Sequence, residues 1–191
     1  MNITRKLNFI VVLVVVLVLG KGDRDSCIGF MYKNLFSPLG IKDSNIIFYD
    51  GKADLSAECE RIDNYIQSVK GMDFMVLGLG MNGHLGLNEP GISFNNYSHV
   101  VRLNGETKIV AQKYFDDKRD VEYGITMGMK NFDKCRRIVL IATGERKRKI
   151  VVRMLSSKIT KSLPATYLHG IKQASLYLEG TLAFTHKNPH K

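Results

Sequence analysis

Paired cysteines are missing from this sequence. The 191 residues contain three, Cys27, Cys59 and Cys135, an odd number at wide spacing with no C-x-x-C and no histidine at metal-ligand spacing. That pattern suggests neither a disulfide framework nor a zinc site. The three read as reduced, mostly buried thiols, which fits a cytoplasmic protein. Acids are also scarce, 18 against 28 lysines and arginines, for a formal charge of +10. Such an excess points to an anionic partner, whether a phosphorylated metabolite, a nucleic acid or an acidic membrane surface. Ten of the basic residues lie between Lys134 and Lys161 against the single acid Glu145. No helix-turn-helix, zinc finger or aromatic-interleaved strand accompanies them, so no nucleic acid is expected as a partner. No internal period marks repeats.

A long apolar span is lacking too. Phe9 to Leu19 is an unbroken run of eleven Phe, Ile, Val and Leu residues, behind a short basic start, and eleven residues do not comfortably cross a bilayer as a helix. No small-x-small cleavage pattern follows Leu19. The run reads as a β-branched strand at the centre of a parallel sheet, as a signal or membrane-associated segment, or as an out-of-frame remnant. No membrane partner is expected unless residues 9–19 act as signal or anchor. A strand of this kind without neighbours would be prone to aggregate.

At 45% hydrophobic residues, a chain of this length supports one core and one domain. Strand and helix patterns alternate along it. Ile28, Met31, Tyr32, Leu35 and Phe36 recur at helical spacing with Ser26 as a cap, and Asn45 to Tyr49 reads as a short strand. A helix follows from Asp54, with Leu55, Cys59, Ile62, Ile66 and Val69 on one face and Gly71 past its end. Further strands are expected at Phe74–Leu79, His99–Leu103, Arg137–Ala142 and Ala174–Leu178, with a helix from Glu106 to Phe115 and a short helical turn ending at Phe132. The pattern predicts an α/β fold: a Rossmann-like, three-layer, open and mostly parallel sheet flanked by helices.

The densest chemistry lies between Phe74 and Gly91, F-M-V-L-G-L-G-M-N-G-H-L-G-L-N-E-P-G. A buried strand leaves through a loop with glycines at 78, 80, 83 and 86, which lets backbone amides approach a ligand. Asn82, His84, Asn88 and Glu89 are set into that loop beyond the carboxyl end of the strand, where open α/β sheets place ligands. A carboxylate beside an imidazole fixes its tautomer and raises its basicity, as a proton shuttle near neutral pH requires. A second candidate is Thr143-Gly144 followed by Lys147. A strand ending in Thr-Gly and opening a helix presents unpaired amides, and the lysine adds positive charge, which together outline a phosphate site.

The string G-L-G-M-N-G-H-L-G-L-N-E-P-G resembles the signature of the glucosamine-6-phosphate deaminase/isomerase family, and the resemblance runs from about Gly20 to about Leu178. It implies that His84 is the acid/base that opens the sugar ring and that Glu89 orients it. Asn82, where many members have aspartate, resembles the variant assigned to galactosamine-6-phosphate. Asparagine offers hydrogen bonds without charge, so tuning of the histidine falls mainly to Glu89. Gly80 and Gly83 line the ligand loop. Thr143, Gly144 and Lys147 match the family's T-G-x-x-K, whose lysine binds the sugar phosphate. Lys113 stands where many members carry a phosphate-contacting or allosteric arginine, and lysine loses the bidentate fork. The resemblance implies a phosphorylated amino sugar as substrate, no metal or organic cofactor, and a homo-oligomer as one option. A 6-phosphogluconolactonase shares the broad fold, but Asn88-Glu89-Pro90 fits the deaminase pattern.

The family's aldose-to-ketose step draws a carboxylate from an Asp-Glu-Tyr or Asp-Glu-Trp segment ending an earlier strand. The 191 residues hold no such segment, and V-V-V-L-V-L stands where it is expected. A phosphate-cradling loop before Lys21 is likewise missing. The expectation is a family domain over residues 20–185, incomplete at its N-terminus, with a non-matching segment over 1–19 and a polar tail over 186–191. Catalysis is expected to be impaired or lost, leaving sugar-phosphate binding without turnover as the alternative.

Overall fold

The computed structural model describes residues 9–10, 15–16, 26–103, 105, 108 and 122–182. Its central feature is a parallel sheet of three strands, ordered β4 (Met75–Gly78), β7 (Ile138–Ala142) and β8 (Ala174–Leu178). Val76 pairs with Val139, and Val139 with Ser175. The I-V-L-I-A run of β7 explains its central place, because β-branched residues favour the extended backbone and a strand with neighbours on both sides has little need of polar residues. Ile138, Leu140 and Ala142 on one face are fully buried. The opposite face carries Val76, Ile141 and Tyr177, which are 52%, 41% and 50% exposed, although parallel sheets are usually covered on both sides.

A second sheet is antiparallel, with β6 (Tyr123–Thr126) between β5 (His99–Arg102) and β2 (Val15–Val16). A third pairs β1 (Phe9–Ile10) in parallel with β3 (Ile46–Ile47). The apolar run from Phe9 therefore does not supply one strand at the centre of a parallel sheet. Phe9 and Ile10 join one sheet and Val15 and Val16 another, the latter antiparallel to Ile125 and Gly124. A uniform apolar run carries no alternation that would fix its register or its partner.

Helix α1 (Cys27–Met31) is capped by Ser26, whose hydroxyl accepts from the Gly29 amide, and a π-helical turn continues it through Tyr32–Phe36. Helix α2 (Leu55–Ser68) begins at Asp54, whose carboxylate accepts from the Ala57 amide at 2.8 Å. It buries Cys59, Ile62 and Ile66 at helical spacing. Its end is a Schellman motif in which the Gly71 amide bonds Ile66 O and the Lys70 amide bonds Gln67 O. Lys70 takes the left-handed position, with φ 62°, and Gly71 follows it. The glycine is required twice over: its own φ is 103°, and a Cβ there would lie 2.2 Å from the carbonyl oxygen of Lys134. Helix α3 (Arg148–Ser156) packs Ile150, Val151 and Met154 into the common core with Ile62, Ile66, Phe132, Ile138 and Leu140. The expected turn ending at Phe132 is a 3-10 helix, Met129–Lys134. Most of the helix expected over 106–115, and the tail, lie outside the described residues.

Two polar networks fix α2. Glu58 accepts from the Asp50 amide at 2.7 Å and from Arg61 at 2.6 and 2.8 Å, while Arg61 also donates to Phe48 O. Burial acts to raise the Glu58 pKa, but the hydrogen bonds from Arg61 and Asp50 prevail and hold it below the ordinary glutamate value. A carboxylate depressed in the folded state contributes stability above its unfolded pKa and loses that contribution as pH falls through the folded one. Urea midpoints measured from about pH 5 down to about pH 3 should therefore fall less steeply in Glu58→Gln than in the wild type. Identical slopes would remove Glu58 from the acid limb. The second network centres on Asp63, which accepts from the Ser98 amide (3.0 Å), the Ser98 hydroxyl (2.7 Å) and Asn131 Nδ2 (2.7 Å). Tyr49 OH lies 2.7 Å from Ser98 Oγ, and burial raises its pKa beyond the normal phenol range.

Candidate active site

The loop from Gly80 to Gly91 leaves the carboxyl end of β4 and is folded by its own backbone. The Gly80 amide bonds His84 O, the Gly83 amide bonds Gly80 O, and the Asn88 amide bonds Leu85 O. Gly83, Gly86 and Gly91 hold φ of 86°, 65° and 97°, the left-handed region that favours glycine. Gly80 serves a separate need. A Cβ there would stand 2.5 Å from Cδ2, Cε1 and Nε2 of His84, so the imidazole lies directly against the glycine backbone.

His84, Glu89 and Asn82 converge in this loop. His84 Nδ1 lies 3.6 Å from Glu89 Oε1, and Asn82 Nδ2 donates to Glu89 Oε2 at 2.7 Å. The Asn82 carbonyl oxygen accepts from the His84 amide at 3.1 Å. The asparagine thus grips the carboxylate with one end and the histidine backbone with the other. Glu89 is the one carboxylate of the trio, and its second oxygen faces the imidazole. Asn88 is fully buried and structural, its Nδ2 donating to Leu85 O and Met127 O.

Lys147 reaches the same loop from β7. The chain leaves that strand through Thr143-Gly144, forms a 3-10 turn over Glu145–Lys147 and enters α3. Lys147 Nζ donates to Leu79 O at 2.5 Å, so the amine stands at the root of the histidine loop. Burial lowers its pKa. Its neighbours face elsewhere: Arg146 and Lys149 are exposed, and Arg148 is paired with Glu145. The Thr143-Gly144 turn departs from a bare phosphate cradle. Gly144 has φ 84°, and its amide donates to Glu179 Oε2 at 2.6 Å. A carboxylate just beyond β8 already takes the donor, because parallel pairing of β7 with β8 brings the ends of the two strands together. Lys113 lies outside the described residues. Among the described residues no group of three or more His, Cys, Asp and Glu side chains could hold a metal ion, and no helix is long and apolar enough to cross a membrane.

Sequence reasoning missed the segment that supports the loop from below. Gly91 N donates to Lys161 O at 2.8 Å, and Ala165 N donates to Gly83 O at 2.9 Å. Leu163, fully buried, presses on Gly83 so closely that a Cβ there would meet its Cδ1 at 2.2 Å. The one local signal was Pro164 opening a 3-10 turn over Pro164–Gly170.

An α/β domain thus carries an imidazole–carboxylate pair on a glycine loop, placed beyond a parallel strand and beside a lysine from the next one, groups chemically suited to acid/base work. Comparison with known proteins gives this domain a family. The profile of glucosamine-6-phosphate isomerases/6-phosphogluconolactonase matches residues 18–177. A glucosamine-6-phosphate deaminase of Lysinibacillus sphaericus is 40% identical over 154 residues, covering 80% of this chain and 65% of the relative. The solved structure of a monomeric glucosamine-6-phosphate deaminase superposes with a TM-score of 0.85 at 31% identity, over 89% of this chain and 71% of that one. A 6-phosphogluconolactonase from Thermotoga maritima shares the fold, with a TM-score of 0.65 at 18% identity over 84% of this chain and 67% of its own. The chain belongs to the glucosamine-6-phosphate isomerase/6-phosphogluconolactonase family. It spans 65% of the length of the Lysinibacillus relative.

Proposed function

We propose that the chain carries the ring-opening site of an amino-sugar 6-phosphate deaminase/isomerase working in amino-sugar breakdown in the cytoplasm. The observation that supports this most is the His84–Glu89–Asn82 arrangement over Gly80. Opening a pyranose removes the proton of the anomeric hydroxyl and returns one to the ring oxygen, which a single imidazole performs in turn as base and acid. With Nδ1 toward Glu89, Nε2 is the working nitrogen. Lys147 supplies the positive charge for the sugar phosphate from the root of the same loop. Deamination then needs a proton moved from C2 to C1 before ammonia leaves, and the 191 residues hold no Asp-Glu-Tyr or Asp-Glu-Trp segment to do it.

The two steps are measured separately. Exchange spectroscopy on glucosamine 6-phosphate and galactosamine 6-phosphate labelled at C1 reads ring opening as exchange between anomers. We expect acceleration by the chain for at least one epimer and its loss in His84→Ala. Ammonia release is expected to be weaker than in full-length relatives by on the order of a hundred- to ten-thousand-fold, the usual cost of a missing general base. A folded sample that neither accelerates exchange nor binds either sugar phosphate would overturn the proposal.

A further inference from the structure

We propose that Thr166 is a positioning residue for the His84 loop, acting through the turn that braces it; the role in turnover rests on the site proposed above. Thr166 is fully buried. Its hydroxyl accepts from the Thr160 amide at 2.9 Å and donates to Leu163 O at 2.7 Å, with Thr160 O at 3.2 Å. The Leu163 amide closes the same turn onto Thr160 O at 3.1 Å. One hydroxyl thus ties residues 160–166 into a single closed turn.

That unit grips the loop on either side of its working groups. Lys161 O holds the Gly91 amide, two residues past Glu89, and the amide of Ala165 holds Gly83 O, one residue before His84. Leu163 fills the space beneath Gly83. The 3.6 Å separation of His84 and Glu89 is set by a loop whose two ends are pinned to the turn. Thr166 touches neither residue. Without its hydroxyl, the half-buried Thr160 amide loses its acceptor, Leu163 O keeps only the Thr166 amide at 2.9 Å, and the turn relaxes to recover the lost hydrogen bond elsewhere. A loop displaced by an ångström is enough to misplace a proton-transfer pair.

Thr166→Val keeps the shape and removes the hydroxyl, while Thr166→Ser keeps the hydroxyl. Two observables are followed by NMR: hydrogen exchange at the Gly91 and Ala165 amides, and titration of the His84 ring. In Thr166→Val both amides should exchange at least about tenfold faster while those of Val139 and Leu140 in β7 stay unchanged, and the His84 midpoint should move. Thr166→Ser should restore both. Unchanged amides and midpoint in the valine variant, or no recovery in the serine variant, would overturn the proposal. If the valine variant does not fold, native-state exchange of the wild type decides: Thr160, Gly91 and Ala165 should open as one unit, and separate openings would overturn it. Absence of anomer exchange in the wild type would sink the functional proposal and leave these readouts intact.

Discussion

Asp63→Ala is expected to lower the unfolding free energy by about 1–4 kcal/mol, because it strands the buried Asn131 Nδ2, at about 1–3 kcal/mol for a buried donor without an acceptor, while the half-buried Ser98 amide adds a smaller part. The Ser98 hydroxyl can turn toward Tyr49 and escapes the count. The loss is large against the roughly 5–15 kcal/mol that a domain possesses. Asp63→Asn is expected to be nearly as damaging despite its shape. Its amide would bring N–H groups against the Ser98 or Asn131 donors that now meet a carboxylate oxygen. Urea unfolding followed by circular dichroism reads the effect as a lower midpoint at unchanged slope. A midpoint for Asp63→Ala equivalent to less than about 1 kcal/mol of loss would show that the network is dispensable.

Gly80→Ala should separate activity from stability. The new methyl would sit 2.5 Å from three atoms of the His84 ring, so the imidazole must leave its place. Gly80 is not among the glycines at positive φ, and alanine adopts its backbone without strain. Stability should change by about 1 kcal/mol or less, while anomer exchange should fall by on the order of a hundred- to ten-thousand-fold, as for loss of the acid/base itself. Gly78→Ala is the control, since a Cβ at Gly78 meets nothing within 4 Å. Equal effects of the two substitutions would mean that the ring does not work from its seat on Gly80.

The candidate loop was legible in the sequence because its parts are contiguous. An apolar strand, glycines and the Asn82, His84 and Glu89 side chains fall within 18 residues, Phe74 to Gly91, and local chemistry decides most of their geometry. Lys147 was legible because its reach follows from a strand, a tight turn and a helix start. The brace was not. Residues 160–165 have no periodicity, and apart from the Leu163 side chain they hold the loop through backbone atoms, the Lys161 carbonyl and the Ala165 amide, which carry no mark of residue type. Glu179 stayed hidden for a related reason, since its contact with Gly144 depends on the register of two strands and on no motif of its own. The run from Phe9 to Leu19 failed differently: its uniformly apolar, largely β-branched composition announces strand, and sameness along the run conceals which partner each piece will take.

The grip of residues 161 and 165 on the loop also sets an order of events during synthesis. Ala165 lies 82 positions beyond Gly83, so a ribosome has made nearly the whole described chain before the loop can be pinned. Until then the loop is tied to β4 and, through Leu87 and Asn88, to Thr126 and Met127, but Gly83 and Gly91, on either side of His84 and Glu89, lack their partners. Contacts of such long sequence separation form late, after the loop-closure entropy has been met. The site is therefore among the last parts of this molecule to mature, and a nascent chain arrested before residue 165 would have its motif complete in sequence and unset in space.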